Sequence, residues 1–288
     1  MQLAFLGLGL IGGSIARAVR TNPQTAGWRL TAWSPSGGGP AQARVEGVID
    51  LQAMSPEAAL VGADIVILAA PVTQSLELVD RLAGPWRALW PAAAVVTDVA
   101  STKAVIGDRA DAVGLPFVGG HPMAGLETSG YAAAVPDLFV GRPWVLVPGA
   151  HARADDVERV QMLVDACRAV VVRLDAGAHD RAVAGISHLP IVVAAALAQS
   201  VAGRAQDWPS AASLAAGGWR DTIRVARGDP DMGAAILATN APAVAARLRD
   251  LQAVLDDWLA ALERPEGPDE AVLRARLAAA QAILGDRP

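Results

Sequence analysis

An α/β domain with a doubly wound parallel sheet, followed by an all-helical domain, is the fold this sequence predicts. Three observations lead there. Short apolar runs alternate with helix-length segments through the first 174 residues, the alternation that builds βαβ units. Most of those runs are continuously apolar, which suits strands covered by helices on both faces. From His179 onward the pattern changes to alanine- and leucine-rich stretches of helical length, with no convincing strand.

The elements follow in order. Gln2 to Leu8 reads as the first strand and Ser14 to Arg20 as the helix after it. Leu30 to Ser34, Asp64 to Val72 and Ala94 to Val99 read as strands, with a helix over Gln74 to Leu89. Phe117 to Gly120, Trp144 to Pro148 and Val170 to Leu174 complete the strands, and Ala154 to Arg168 supplies another helix. A boundary near residue 175 separates 1–174 from 175–288. Arg181 to Val201, Ser210 to Ala226, Met232 to Leu262 and Asp269 to Leu284 read as the helices of the second part. Pro190 and Pro242 kink or start helices, and Pro265 to Pro268 breaks the chain before the last one. Long apolar helices seek another apolar face, so a homodimer through the helical part is expected.

Composition narrows the function classes. The 288 residues are enough for two domains. Hydrophobic residues make up 53% and aromatics only 4%, so the cores are aliphatic. With a net charge of −5 and no basic stripe, a nucleic-acid partner is not expected. No Cys/His cluster has zinc spacing, so no metal is expected. The single cysteine, Cys167, reads as a buried apolar residue on a helix. Met1 to Ala18 is apolar, yet it lacks the positive start of a signal peptide and carries glycines at fixed spacing. Leu189 to Ala198 is too short to span a bilayer. A cytoplasmic protein with no membrane partner fits these features. Lys103 is the single lysine in the chain. Keeping one lysine where arginine serves everywhere else hints at a position that arginine cannot fill, although chance survival explains it equally well.

Gly7-Leu8-Gly9-Leu10-Ile11-Gly12 follows an apolar strand and opens a helix. In that context the G-x-G-x-x-G spacing is the Rossmann-like dinucleotide signature. Gly7 permits the tight turn, Gly9 lets the backbone approach a pyrophosphate, and Gly12 allows close helix–strand packing. The free N–H groups of Leu10, Ile11 and Gly12 then face the phosphates. An acid at the end of the second strand would bind a ribose 2′-hydroxyl and favour NAD. Ser34 stands there instead, 22 residues past Gly12, with Ser36 and Arg44 nearby. A serine does not repel a 2′-phosphate, so NAD or NADP is expected.

Four further segments carry chemistry: Asp98 to Lys103, Gly119 to Glu127, His179-Asp180 with Ser187-His188-Leu189-Pro190, and Gly217 to Arg224. The first two follow strands, where open α/β sheets bind ligands. A histidine there, His121, can take an alcohol proton near neutral pH as hydride leaves the same carbon. It can equally be a structural histidine holding a turn. His188 can cap a helix instead of binding a ligand. Arg220 and Arg224 share a helical face and form either a carboxylate clamp or a solvated face.

Together these segments resemble the prephenate dehydrogenase family, which includes arogenate and cyclohexadienyl dehydrogenases. The resemblance rests on the Gly7–Gly12 turn with Gly13-Ser14, Asp98–Lys103, His121-Pro122-Met123-Ala124-Gly125 with Glu127 and Ser129-Gly130, His179-Asp180, Ser187–Pro190 and Gly218–Asp221. It implies a Rossmann domain, a helical dimerisation domain, and oxidative decarboxylation of prephenate with hydride transfer to NAD(P), in tyrosine biosynthesis. It further implies that His121 is the catalytic histidine on the ring hydroxyl and that Ser101 shares this hydroxyl and orients it. His188 then binds substrate, Arg224 holds a substrate carboxylate, Arg220 is a second basic position, and Glu127 sits near the mouth. The chain departs from the family pattern at Leu126 and Ile191, where small polar and histidine residues are common. Those departures leave prephenate against arogenate open. The chain leaves no room for a regulatory domain beyond Pro288, which argues against feedback inhibition by tyrosine. Two other readings remain: another Rossmann-plus-helical dehydrogenase of the 3-hydroxyacid type, and a nucleotide-sensing protein without catalysis. The first typically uses a lysine or a different helical site, against which the His121 and His188 segments argue, and the second does not need His121, Ser101 and Arg224 together.

Overall fold

The computed structural model describes residues 1–203 and 208–285. An eight-stranded sheet with the order β3-β2-β1-β4-β5-β6-β7-β8 forms its centre. The strands are β1 (Gln2–Leu6), β2 (Arg29–Trp33), β3 (Leu51–Gln52), β4 (Ile65–Leu68), β5 (Val95–Asp98), β6 (Phe117–Pro122), β7 (Pro143–Pro148) and β8 (Val170–Arg173). Between them run α1 (Leu10–Thr21), α2 (Gly38–Val45), α3 (Pro56–Leu60), α4 (Val72–Ala83), α5 (Ala104–Ala112) and α6 (Ala154–Ala166).

The continuously apolar strands do what their composition requires. Along β1, Leu3 and Phe5 enter one core with Ile15 and Val19 of α1. Ala4 and Leu6 enter the other with Val79 and Leu82 of α4. Strand side chains alternate between faces, so a strand buried on both faces must be apolar throughout. From β1 the chain winds outward through β2 and β3 on one side and through β4 to β6 on the other. The β1–β4 junction is therefore the topological switch point, where such sheets bind ligands.

One pair departs from the all-parallel expectation: β6 and β7 run antiparallel, with His121 opposite Val145. A parallel return needs a crossover helix. Residues 123–142 contain only a 3-10 turn at Tyr131–Ala133, so the strand comes back directly. The segment folds over α1 instead, where the Tyr131 ring occupies the space a Cβ on Gly13 would need and Ser14 Oγ accepts the Val135 N–H at 3.0 Å.

The helical part comprises α7 (Ala176–Val183), α8 (Leu189–Val201), α9 (Trp208–Ser213), α10 (Gly217–Ile223), α11 (Pro230–Thr239), α12 (Ala241–Leu262) and α13 (Glu270–Leu284). Asp175 caps α7 by accepting the Ala178 N–H at 2.8 Å, which starts that helix earlier than the apolar periodicity suggests. A π-helical turn, Ala184–His188, joins α7 to α8. The run Ala176–Val201 thus has 26 residues and contains an apolar stretch of mean hydropathy 1.7, which gives it the length of a bilayer span. That is longer than the Leu189–Ala198 stretch implied. Its first half also carries the buried polar residues His179, Asp180 and His188, so length and hydropathy alone do not make it one. The stretch Ser210 to Ala226 is interrupted between α9 and α10, and Met232 to Leu262 is interrupted at Asn240.

By internal contacts the chain forms two compact units, Met1–Ala241 and Pro242–Pro288. In the second, Asp269 caps α13 through the Ala271 N–H at 2.9 Å. Leu255, Leu259, Leu277 and Ile283 are exposed there.

Lys103 lies within the first unit at the head of α5, only 1% exposed. Its ammonium is paired with Asp98, which also accepts the N–H groups of Gly120 (2.9 Å) and Ala100 (3.0 Å). Its stem packs so closely on β6 that a Cβ on Gly119 would lie 3.2 Å from Lys103 Cδ. Removing one partner of a buried pair leaves an uncompensated charge. Lys103→Met is therefore expected to destabilise the protein by about 3–5 kcal/mol in urea denaturation. A loss below about 1 kcal/mol, the range of exposed pairs, would show that the pair is not a buried one in solution.

Candidate active site

The glycine turn sits at the switch point. Gly7 has φ +103°, and a Cβ there would meet the Ala69 carbonyl oxygen after β4 at 2.4 Å. A Cβ on Gly12 would lie 2.9 Å from the Gly7 carbonyl oxygen and 3.0 Å from Ala69 Cβ, so α1 approaches both strands as closely as backbone allows. Gly9 caps α1, and nothing lies within 4 Å of its missing Cβ. That open space faces the first-turn amides of Leu10, Ile11 and Gly12, which have no partner inside the helix. A dinucleotide pyrophosphate fits there by size and charge.

Beyond β2, Ser34 is half-buried and its carbonyl accepts the Gly37 N–H at 3.0 Å. Two acids nearby are engaged elsewhere. Asp50 accepts from Leu30 N and Arg20, each at 2.7 Å. Glu46 accepts from Tyr131 (2.8 Å) and Arg17 (2.7 Å). Ser36 and Arg44 are exposed. Among the described residues, no free acid replaces the missing ribose partner at this strand end.

The chemical end of the site is a buried chain of hydrogen bonds. His121, at the end of β6, is 7% exposed. Its Nδ1 lies 2.8 Å from Nε2 of His179, and Nδ1 of His179 lies 2.7 Å from Asp180 Oδ1. Asp180 also accepts the N–H groups of Lys103 (2.8 Å) and Ala104 (2.9 Å) at the start of α5. Burial pushes the Asp180 carboxyl upward, but the His179 ring and those two amides outweigh it and hold the group below the usual carboxylate range. Asn240 at the end of α11 donates to the Asp180 carbonyl at 2.7 Å and lies 3.1 Å from His188 Nδ1.

His188 is fully buried and its Nε2 has no hydrogen-bond partner among the described residues. The π turn matters for its position. Nine residues apart on a regular α-helix, His179 and His188 would face opposite ways. The wider i→i+5 turn between them rotates His188 back toward the same side.

The other expected site residues lie outside this network. Ser101 is half-buried and its hydroxyl has no hydrogen bond to His121. Arg224 and Glu127 are exposed and paired with each other at 2.6 Å. Arg220 is exposed on α10 with no ion pair among the described residues. His179-Asp180 and Asn240 were not assigned roles from sequence. The His-Asp doublet was a visible signal, whereas an asparagine 52 residues from His188 in the chain is not.

Comparison with known proteins places the chain. Residues 15–173 match the family model for the prephenate dehydrogenase nucleotide-binding domain, and residues 175–274 match that for its dimerization domain. The chain is 37% identical over 264 residues to a prephenate dehydrogenase of Bacillus subtilis, covering 90% of this chain and 67% of that one. The chain belongs to the prephenate dehydrogenase family. A cyclohexadienyl dehydrogenase of Zymomonas mobilis is 31% identical, with 91% of this chain and 86% of that one covered. The crystal structure of Synechocystis arogenate dehydrogenase superposes with a TM-score of 0.81 at 30% identity, covering 99% and 100% of the two chains. As a member of this family the chain is a nicotinamide-dependent dehydrogenase, and the cradle at Gly7–Gly12 fits an NAD(P) pyrophosphate.

The buried histidines give the family fold here a pH signature. Burial holds His121 well below its ordinary value, reinforced by the Lys103 charge and by His179 and His188. His188 is also lowered, chiefly by burial, with the Asp180 charge opposing. Both stay neutral in the folded state while the unfolded rings take protons near pH 6.5. Stability is therefore present above about pH 6.5 and falls as pH drops below it, by up to ~1.4 kcal/mol per pH unit for each ring. Urea midpoints measured from pH 7 to 5 should fall with this slope, and His121→Asn should flatten it. A slope that is the same in the variant would show that His121 titrates normally.

Proposed function

We propose that this chain oxidises and decarboxylates prephenate to 4-hydroxyphenylpyruvate in tyrosine biosynthesis, with NAD or NADP accepting the hydride. His121 carries the reading. It is a neutral, buried histidine at the end of a strand beside the switch point, hydrogen-bonded through Nδ1 so that Nε2 is left for a substrate.

Bound at the glycine turn, the oxidised nicotinamide supplies the hydride acceptor. His121 accepts the proton of the ring hydroxyl at Nε2, and Ser101 orients this hydroxyl toward it. The carbinol C–H bond breaks and the carbon becomes a carbonyl. The bond from the quaternary ring carbon to its carboxylate then breaks, CO2 leaves, and its electron pair makes the ring aromatic. The phenolate oxygen takes the proton back from His121. His188 binds substrate, and its buried, unpartnered Nε2 is suited to a substrate oxygen. Arg224 holds a carboxylate. Only its Nη1 is bonded to Glu127, and a guanidinium has further donors for a second carboxylate. Each such charge-assisted bond contributes roughly 1.5–3 kcal/mol. Arg220 adds positive charge at the mouth, where Glu127 sets the balance.

Arogenate is the second reading, favoured by the likeness to the Synechocystis enzyme. Ser34 in place of an acid supports use of both cofactors. We also propose that the functional division lies at residues 174/175, because β8 ends at Arg173 and the two family segments meet there. A cytoplasmic location accords with this biosynthetic role.

Absorbance at 340 nm with NAD or NADP and with prephenate or arogenate tests the reading in one plate. Turnover with prephenate is expected, with less than a hundredfold preference between cofactors. His121→Asn should lower kcat by about 10²–10⁴-fold with little change in KM, the range for losing a general base. Arg224→Ala should mainly raise KM. The reverse pattern would exchange the two roles, and no turnover with either substrate would end the assignment.

A homodimer through the helical part follows from the half-buried apolar faces of α8 and the exposed leucines of α12 and α13. Light scattering at micromolar concentration should give twice the chain mass; the mass of a single chain would rule the dimer out.

A further inference from the structure

We propose that His179 and Asp180 form a relay with His121, fixing which nitrogen of the base is bare and drawing the positive charge away from the substrate. The proposal rests on His121 being the base. His179 and Asp180 act through it and touch no substrate, so both are positioning residues.

Two backbone amides and the His179 ring surround the Asp180 carboxylate. An ionised carboxylate can only accept, so the His179 Nδ1 facing it carries a proton. In a neutral imidazole the other nitrogen is then bare. Nε2 of His179 is 2.8 Å from His121 Nδ1 and can only accept from it. The proton of His121 is thereby placed on Nδ1, which leaves the lone pair on Nε2. A carboxylate two residues removed in the hydrogen-bond chain thus dictates the tautomer a general base needs. The rings meet edge to face, with centroids 5.1 Å apart and planes at 75°. That geometry suits an in-plane N–H to lone-pair bond.

The same chain has a use when the base is loaded. Oxidation delivers the hydroxyl proton to His121 Nε2. The Nδ1 proton can move across the 2.8 Å bond to His179 Nε2, leaving His121 neutral and His179 positive. No atom is gained or lost, and the shift reverses when the phenolate reclaims its proton. The surroundings favour this direction. The groups facing His121 are Lys103 from the head of α5, His179 from α7 and His188 at the end of the π turn. The Lys103 charge opposes a cation on His121, and Asp98 is already committed to Lys103. A cation on His179 faces the Asp180 carboxylate at 2.7 Å.

A purely structural tie between α7 and β6 would need only a hydrogen bond, and that is what separates the two readings. His179→Gln can still accept from His121 Nδ1 but cannot carry the proton or transmit the charge of Asp180. We expect it to keep the wild-type melting temperature and NAD dissociation constant. Its kcat should fall at least tenfold with KM for prephenate within threefold. Without that negative charge behind it, His121 is a weaker base, so the acid limb of kcat/KM should move to lower pH. Asp180→Asn keeps an amide oxygen as acceptor for His179 Nδ1 and Lys103 N but removes the negative charge, so it should lower kcat and move the acid limb in the same direction. This variant serves as the test if His179→Gln does not fold. Wild-type kcat with an unmoved acid limb overturns the relay. So does a loss that follows the melting temperature or the NAD affinity while the limb stays in place. His121→Asn is run beside them. If it retains activity, the base assignment fails. If it is inactive while His179→Gln and Asp180→Asn are not, the relay alone fails.

Discussion

One residue, Asp180, ties three helices together behind the chemistry. Asp180 on α7 takes the two amides that begin α5, and its own carbonyl takes the amide of Asn240 at the end of α11. Helix N-termini present unpaired N–H groups and partial positive charge, so a buried anion is stable there. The same anion orders the His179 ring, and this ring orders His121. A single group thus joins the helical part to the sheet and aligns the proposed base. The remaining polar contacts close the arrangement: Asn240 against His188, Thr102 against Thr239 at 3.0 Å, and Lys103 against Asp98.

The sheet does a different job. It brings Gly7, Ala69, Asp98 and His121 to the carboxyl ends of adjacent strands β1, β4, β5 and β6. Residues far apart in the chain thereby share one edge, with the dinucleotide cradle at one end and the histidine at the other. Burying the histidine side of that edge makes neutral imidazoles and strong hydrogen bonds. It also makes every unpaired charge costly, which explains why Lys103 is matched by Asp98. Arg224, proposed to hold a carboxylate, and its ion-pair partner Glu127 stay exposed, where a charged substrate must arrive from water.

Much of this was legible in the sequence because the signals are local. Alternation of apolar runs gave seven of the eight strands, and the glycine spacing placed the cradle. The two-residue strand β3 and the helices α2, α3 and α5 carry too little periodicity to be read. The antiparallel turn of β7 was missed because apolar runs record burial and not direction. Where Asn240 divides α11 from α12, apolar composition continues on both sides, so the break had no signature. The site was legible as a set of motifs, and the doublet His179-Asp180 stood among them without a role.

By itself the sequence determined the alternation of strands and helices, the dinucleotide turn, the change to helices after residue 174 and the identities of the polar residues available for chemistry. These depend on neighbours a few residues apart, through side-chain period and backbone freedom. Only the tertiary structure decided that His121 meets His179, that Asp180 holds the start of α5, and that a π turn brings His188 to the same side. Those contacts join residues 58, 77 and 52 positions apart. Hydrogen bonds of that kind are set by where packed elements come to rest, and no local pattern records it.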